Sequence, residues 1–181
     1  MTSLSTRDAL PHMPTVRRPS PADDPALDVW RAFIQTHARL INKLDEELQS
    51  AHGLSLAEYD ALVQLVNAPD RRLRMSALAE RVLLSRSGIT RLVDRLEADG
   101  MVERSVCPTD ARGSMAAITQ LGVTRLRAAS KTHLDGVRRY FLDVIAADDR
   151  VALQRSLERV GSGLKGCGTA ADSACASTLE P

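Results

Sequence analysis

Aromatic residues are scarce in this sequence and make up only 3% of its 181 residues. Helices can pack through aliphatic side chains alone, whereas β-sandwiches rely more on aromatic and β-branched residues. With 44% hydrophobic and 26% charged residues, the chain can still bury a globular core. The composition therefore favours a mainly helical domain over an aromatic-rich sandwich.

Cysteines and long apolar runs are also lacking. The three cysteines, Cys107, Cys167 and Cys175, are too few and too scattered for a disulfide framework or a zinc site, and no C-x-x-C pair occurs. No apolar run approaches the roughly 18 residues of a membrane span. We therefore expect a reduced, soluble, cytoplasmic protein that needs no metal or cofactor.

The residues that catalysis would require are not grouped in the sequence. The four histidines are spread along the chain, and none is paired with a cysteine or carboxylate at the spacing of a metal site or a catalytic triad. No glycine-rich phosphate loop is present. The net charge of +1 excludes little, because positive charge can still concentrate on one element. We predict that the chain is not an enzyme.

Composition and apolar periodicity divide the chain into three sections. Residues 1–23 are rich in proline and polar side chains, and residues 164–181 are small and polar, so both are predicted to be disordered. Residues 24–163 are predicted to fold in the order helix, helix, short strand, helix, helix, hairpin, helix, helix. The expected fold class is mainly α with a small β-hairpin.

Local signals place the starts of several helices. Ser55 and Glu58 match a capping box, in which each side chain bonds the backbone of the other residue. Ser76 and Ser85 are predicted to cap two short helices in succession, and Thr119 is predicted to begin the long helical region 119–163. These signals delimit a compact lobe over residues 55–118.

The first predicted helix, residues 24–53, is unusually long for a core element. An apolar stripe of this length can pack against a partner subunit as well as against its own domain. Its members recur at helical spacing and are Trp30, Phe33, Ile34, His37, Leu40, Ile41, Leu44 and Leu48.

The predicted helix after Ser85 has two contrasting sides. Its apolar residues fall on one side, whereas Ser87, Arg91 and Asp94 point almost opposite. Thr90 and Arg95 lie on the flanks. Two short helices joined by "VLLS", the second with such an exposed side, match a helix-turn-helix. Small hydroxyl side chains let a helix lie deep in the major groove, and arginine offers two donors that fit guanine. The pattern therefore indicates DNA binding.

A β-hairpin is predicted after this helix. "MVERSVC" and "SMAAITQ" alternate weakly and are separated by the turn-rich "PTDARG", which places Arg112 at the tip. An arginine at such a tip can enter a narrow minor groove. Taken alone, this stretch is more typical of a plain polar turn, but its combination with a helix-turn-helix favours a DNA-binding wing.

The segment from Met75 to Gly122 resembles the MarR family of winged-helix transcription regulators. The specific parts are "SRSGITRLVDRLEADGMVER", which is similar to that family's recognition helix, and "DARG", which is similar to its wing motif. The resemblance extends from about Pro25 to Gly161 and leaves out only the tails.

This resemblance implies a winged helix-turn-helix in a homodimer, with residues 24–53 and 119–163 as dimerisation helices and residues 55–118 as the DNA-binding lobe. The dimer would bind a pseudo-palindromic double-stranded operator, repress transcription and be released by a small aromatic or anionic effector. By match to the motif, Ser87, Thr90 and Arg91 would read the major groove and Arg112 the minor groove. Arg86 and Arg95 would contact phosphates or support the scaffold.

The family's ligand crevice, between the dimer helices and the winged lobe, would be lined by Trp30, His37 and Tyr59, although each of them also fits an apolar stripe. Two alternative functions stay open at this point. One is a redox-responsive regulator that uses Cys107, and the other is a winged-helix module for protein–protein interaction.

Overall fold

The computed structural model describes residues 24–107 and 110–167. The helices and strands follow the predicted order, with two short additions. Their bounds are α1 Ala26–His52, α2 Leu56–Val66, β1 Arg72–Arg74, α3 Met75–Arg81, α4 Arg86–Ala98, β2 Val102–Cys107, β3 Asp110–Ile118, α5 Gln120–Val137 and α6 Ala147–Cys167. A 3₁₀ turn, Pro69–Arg71, precedes β1, and a π-helical turn, Arg138–Leu142, extends α5.

The chain divides within α1, between Ala38 and Arg39, and the two parts are described separately. The first part comprises the described residues 24–38 of the helix start. The second part contains the rest of α1 and all later elements. None of the described helices is long and apolar enough to cross a membrane.

A three-stranded antiparallel sheet in the order β1-β3-β2 packs beside α2, α3 and α4. The predicted short strand is confirmed as β1, which pairs with β3 at one edge of the described sheet, from Arg72 opposite Ala117 to Arg74 opposite Met115. The core of this lobe is aliphatic, as the composition predicts. Its fully buried side chains include Leu62, Leu65, Leu78, Ile89, Val93, Leu96 and Val102.

Three predicted helix starts are confirmed by their hydrogen bonds. The Ser55 hydroxyl accepts from the Glu58 amide, while the Ser55 amide donates to the Glu58 carboxylate at 3.0 Å. The Ser85 hydroxyl accepts from the Gly88 amide at 3.1 Å, and the Thr119 hydroxyl accepts from the Gly122 amide near the start of α5.

Other boundaries differ from the prediction. Ser76 does not cap α3, because the helix begins at Met75 and its cap residue Arg74 is still paired in the sheet. The helix ends at Arg81, directly before the "VLLS" connection. At the other end of the chain, α6 continues to Cys167 beyond the predicted limit at residue 163. The predicted disorder of residues 1–23 and 168–181 lies outside the described residues.

Gly122 holds the start of α5 against the end of α4. A Cβ atom on this residue would lie 2.2 Å from the Met101 carbonyl oxygen and 2.7 Å from Ile118 Cγ1. The Thr119 amide donates to the same Met101 oxygen at 3.0 Å, and the Thr119 hydroxyl donates to the Gly100 carbonyl at 2.8 Å. No side chain fits at this junction without movement of the backbone.

We therefore expect Gly122→Ala to lower the free energy of unfolding by about 3 kcal/mol, because overpacking against backbone cannot be relieved by a rotamer change. Urea unfolding followed by circular dichroism measures the loss. Gly163→Ala is the matched control, since a Cβ there meets nothing within 4 Å. Alanine at this position of α6 should instead stabilise the helix by up to about 1 kcal/mol. Equal effects of the two substitutions would contradict this account of the junction.

Candidate nucleic-acid interface

Helix α4 presents one buried and one exposed side, as predicted. Ile89, Leu92, Val93 and Leu96 are all 2% exposed or less and pack into the lobe. The helix begins with the Ser85 cap, and its C-terminal end is closed by Gly100, which has a left-handed φ of 70°. Such a φ favours glycine, so the sequence fixes where the helix stops.

The exposed side of α4 carries the predicted DNA-contacting side chains. The Thr90 hydroxyl donates to the Arg86 carbonyl at 2.9 Å, which leaves its oxygen free to accept from a ligand. The Ser87 hydroxyl lies 3.2 Å from the Ser85 hydroxyl. All five predicted residues of this helix are exposed, namely Arg86, Ser87, Thr90, Arg91 and Arg95.

Arg95 is anchored to α2 rather than extended into solvent. Its Nε donates to Glu58 Oε1 at 2.7 Å, and one of its terminal nitrogens donates to the Arg91 carbonyl at 3.4 Å. Glu58 is only 8% exposed and also completes the capping box with Ser55. The pair fixes the C-terminal half of α4 to the start of α2, which agrees with the scaffold alternative proposed for Arg95.

Glu58 gives this link a pH dependence. Burial alone would raise the pKa of its carboxyl, but hydrogen bonds from the Ser55 amide, from Arg95 and from the Ser55 hydroxyl together hold that pKa below its ordinary value. A carboxyl with a lowered pKa stabilises the fold above its unfolded-state pKa and loses that contribution as the pH falls through the folded-state value.

We therefore expect Glu58→Gln to reduce the unfolding free energy by about 1–3 kcal/mol near neutral pH. The difference from the unsubstituted protein should shrink as the pH falls from about 5 to about 3. Thermal unfolding across this range measures both effects. Glu80→Gln, at an exposed position of α3, serves as the control and should leave the profile unchanged. A difference that persists unchanged at pH 3 would argue against the charged link.

The predicted wing is present, but its turn is shorter than expected. Asp110 pairs with Cys107 as the first residue of β3, so "DARG" belongs to a strand and not to the turn. Between the pairs Val106–Ser114 and Cys107–Asp110 the register shifts, and Arg112 lies in this irregular part of β3. Its side chain, like that of Cys107, lies outside what the structure describes.

A groove of about 610 Å³ separates α3 and the start of α4 from the sheet. Arg74, Arg86 and Arg104 line it from β1, α4 and β2, and the carboxylate of Glu80 lines it from α3. Thr90 also contributes to the lining. Arginines from three elements therefore meet beside the exposed side of α4. The prediction from sequence did not include Arg104.

The predicted ligand residues are of two kinds. Tyr59 is 6% exposed, its hydroxyl donates to Ser130 at 3.4 Å, and its ring centroid lies 4.6 Å from that of His133. Trp30, in contrast, is 59% exposed near the start of α1. In that part of the chain the Phe33 ring lies 6.2 Å from the Trp30 ring and 6.1 Å from the His37 ring. Within the described residues, no group of three or more His, Cys, Asp or Glu side chains could hold a metal ion.

Comparison with known sequences gives consistent matches. Residues 52–113 match the MarR family. The HTH-type transcriptional regulator MhqR of Bacillus subtilis is 29% identical over 114 residues, which are 63% of this chain and 77% of that protein. The HTH-type transcriptional repressor YetL of the same species is 30% identical over 100 residues, or 55% and 60% of the two chains.

Solved structures extend the similarity over most of both chains. The MarR family regulator Sco3205 of Streptomyces coelicolor, determined in complex with DNA, is 34% identical, with a TM-score of 0.73 over 82% of this chain and 91% of that one. AbsC, a MarR family regulator of the same organism, is 30% identical, with a TM-score of 0.73 over 83% and 99%. Together with the winged lobe and its exposed helix, these similarities establish that the chain belongs to the MarR family of helix-turn-helix transcriptional regulators.

Proposed function

We propose that the protein binds a pseudo-palindromic double-stranded operator as a homodimer and represses transcription in the cytoplasm. The observation that carries this proposal is the exposed side of α4, where Ser87, Thr90 and Arg91 stand opposite a fully buried apolar side. A MarR family relative was determined in complex with DNA, and another relative is named a repressor.

In this proposal, α4 enters the major groove with its N-terminal residues at the base edges. Arg91 donates two hydrogen bonds to a guanine, and the hydroxyls of Ser87 and Thr90 bond bases or phosphates. The free amides at the start of the helix favour a phosphate, and Arg86 beside them adds a full positive charge. Arg95 contributes by holding the helix to Glu58.

The homodimer rests on apolar side chains that the single chain leaves exposed. Within the start of α1 these are Val29, Trp30, Phe33 and Ile34, and within α6 they are Val151, Leu157, Val160 and Leu164. Monomeric proteins rarely expose contiguous apolar stripes of this kind, so a second copy of the chain is the partner that suits them.

Trp30, His37 and Tyr59 remain the proposed effector contacts, and we propose His133, whose ring centroid lies 4.6 Å from that of Tyr59, as a further contact. The Nδ1 atom of His133 is buried and has no hydrogen-bond partner within the described part of the chain. Burial lowers the pKa of this ring against the opposing attraction of Asp60. A small aromatic or anionic effector would satisfy the unpartnered nitrogen, and a thermal-shift screen with phenols and carboxylates tests this point.

DNase footprinting of the purified protein on the DNA upstream of its own gene tests the proposal directly. We expect protection of two half-sites whose centres lie about one helical turn, near 10 base pairs, apart. If no double-stranded fragment is preferred at low salt, the DNA-binding proposal fails and the protein–protein interaction module becomes the better explanation. Loss of protection on mild oxidation, reversed by a thiol and absent in Cys107→Ser, would favour the redox alternative.

Arg112→Ala is expected to weaken operator binding and to flatten its salt dependence. If the arginine neutralises one phosphate or lies in the minor groove, its removal lowers the slope of log affinity against log salt concentration by about 0.9 per site. Fluorescence anisotropy at four salt concentrations measures the slope. Arg127→Ala, at an exposed position of α5, is the control. Unchanged affinity and slope in Arg112→Ala would remove the wing from the mechanism.

A further inference from the structure

We propose that Arg104 is a positioning residue for DNA recognition, which locks the middle of α4 to the wing and so sets the rotation of the helix about its own axis. This inference rests on the proposed DNA-binding function. It concerns a residue of β2 that belongs to neither the base-reading set nor the wing tip.

Arg104 lies on the inner side of its strand. Val102 is 2% exposed, Glu103 is exposed and Arg104 is again partly covered, so the arginine follows the core-facing alternation of β2. Its cross-strand partner is Ala116, which is fully buried and small. The small partner leaves room for the guanidinium to cross from the sheet to α4.

The guanidinium bonds two groups that lie one turn apart on α4. Its Nη2 donates to the Thr90 carbonyl at 3.0 Å and lies 2.6 Å from Asp94 Oδ1. The Nε lies 3.6 Å from Glu97 Oε2, an electrostatic contact too long for a hydrogen bond, while the Arg104 amide donates to Glu97 Oε1 at 3.3 Å. The strand thus holds the helix along two turns.

Two consequences for recognition follow from these contacts. First, Arg104 bonds the carbonyl of Thr90, and Thr90 and Arg91 are the residues proposed to contact bases. A rotation of α4 about its axis would break this hydrogen bond and would turn both side chains away from the bases. Second, Asp94 is 52% exposed on the side that faces DNA, where an unpaired carboxylate would repel phosphates. Arg104 offsets that charge.

A lysine at position 104 distinguishes the effect of positioning α4 from the effect of the positive charge. It keeps the positive charge but replaces the planar guanidinium with a single ammonium group, which cannot reproduce the same fixed contacts to a carbonyl and a carboxylate. The quantity to measure is the specificity ratio, that is, the dissociation constant for unrelated DNA divided by that for the footprinted operator.

We expect Arg104→Lys to lower the specificity ratio about tenfold while the affinity for unrelated DNA and its salt slope stay unchanged. Asp94→Asn should also lower the ratio. The combination of Asp94→Asn with Arg104→Lys should add little, because both changes break the pair between Arg104 and Asp94. Arg127→Lys on α5 is the matched control and should leave the ratio unchanged. An unchanged specificity ratio in Arg104→Lys would overturn the proposal. An equal loss of affinity for the operator and for unrelated DNA would also overturn it, because that result would make Arg104 a phosphate contact.

Hydrogen exchange without DNA distinguishes failure of this inference from failure of the proposed function. In Arg104→Lys, the amides of residues 90–94 should exchange faster than in the unsubstituted protein, while those of α5 keep their rates. If the unsubstituted protein prefers no DNA, the proposed function fails, and faster exchange would still support the link between strand and helix. Unchanged exchange in α4 would overturn the positioning role whatever the DNA result.

Discussion

Replacing Leu157 with aspartate is expected to convert the protein to a monomer and to lower its affinity for a two-half-site operator by about 100-fold or more. Leu157, Val160 and Leu164 follow one side of α6 and are 42%, 63% and 73% exposed in the single chain. If a partner covers this side, an aspartate there would be buried without a counter-charge. Sedimentation equilibrium measures the mass, and anisotropy measures the affinity.

The control for this substitution is Ser162→Asp. Position 162 lies on the opposite side of α6 from the apolar stripe, so it receives the same charge without facing the proposed partner. We expect this variant to remain a dimer with unchanged operator affinity. If Leu157→Asp also stays a dimer and binds normally, α6 does not form the interface.

The second large effect is expected for Arg91→Ala. If Arg91 reads a guanine through two hydrogen bonds, its loss should cost about 1–3 kcal/mol, or about 5- to 150-fold in affinity, and relax specificity at one position per half-site. A panel of operators with each base pair replaced in turn measures this. Arg127→Ala is again the control. A uniform loss over all the operators would reassign Arg91 to the DNA backbone.

The features predicted correctly from the sequence are those determined by neighbours along the chain. The capping serines Ser55 and Ser85 bond amides only three residues away. The apolar side of α4 follows from helical periodicity alone. Such signals need no knowledge of the rest of the fold, so the helix-turn-helix and its exposed residues could be found without a structure.

The errors arose where a distant partner decides the local structure. Ser76 is a good capping residue, but pairing of Arg74 with Met115 keeps the chain extended until the helix begins at Met75. Asp110 is typical of turns, yet its pairing with Cys107 places it in β3. In each case, hydrogen bonds across the sheet outweigh the local preference.

Arg104 was missed for a related reason. The alternation of β2 does place an arginine on the same side as Val102, which is unusual enough to indicate a carboxylate partner. The sequence alone could not identify that partner, because Asp94 and Glu97 belong to another helix and look like ordinary solvent-facing residues. The same holds for the pairing of Arg95 with Glu58 on α2.

The junction at Gly122 has a consequence for how a signal would reach the operator. The backbones of Met101 and Gly122 are in close contact, so a displacement of α5 would also displace the end of α4. The winged lobe would then move as a rigid body, and the exposed side of α4 would keep its shape. In the homodimer that we propose, binding of the proposed effector would therefore change the distance between the two lobes rather than the shape of either one.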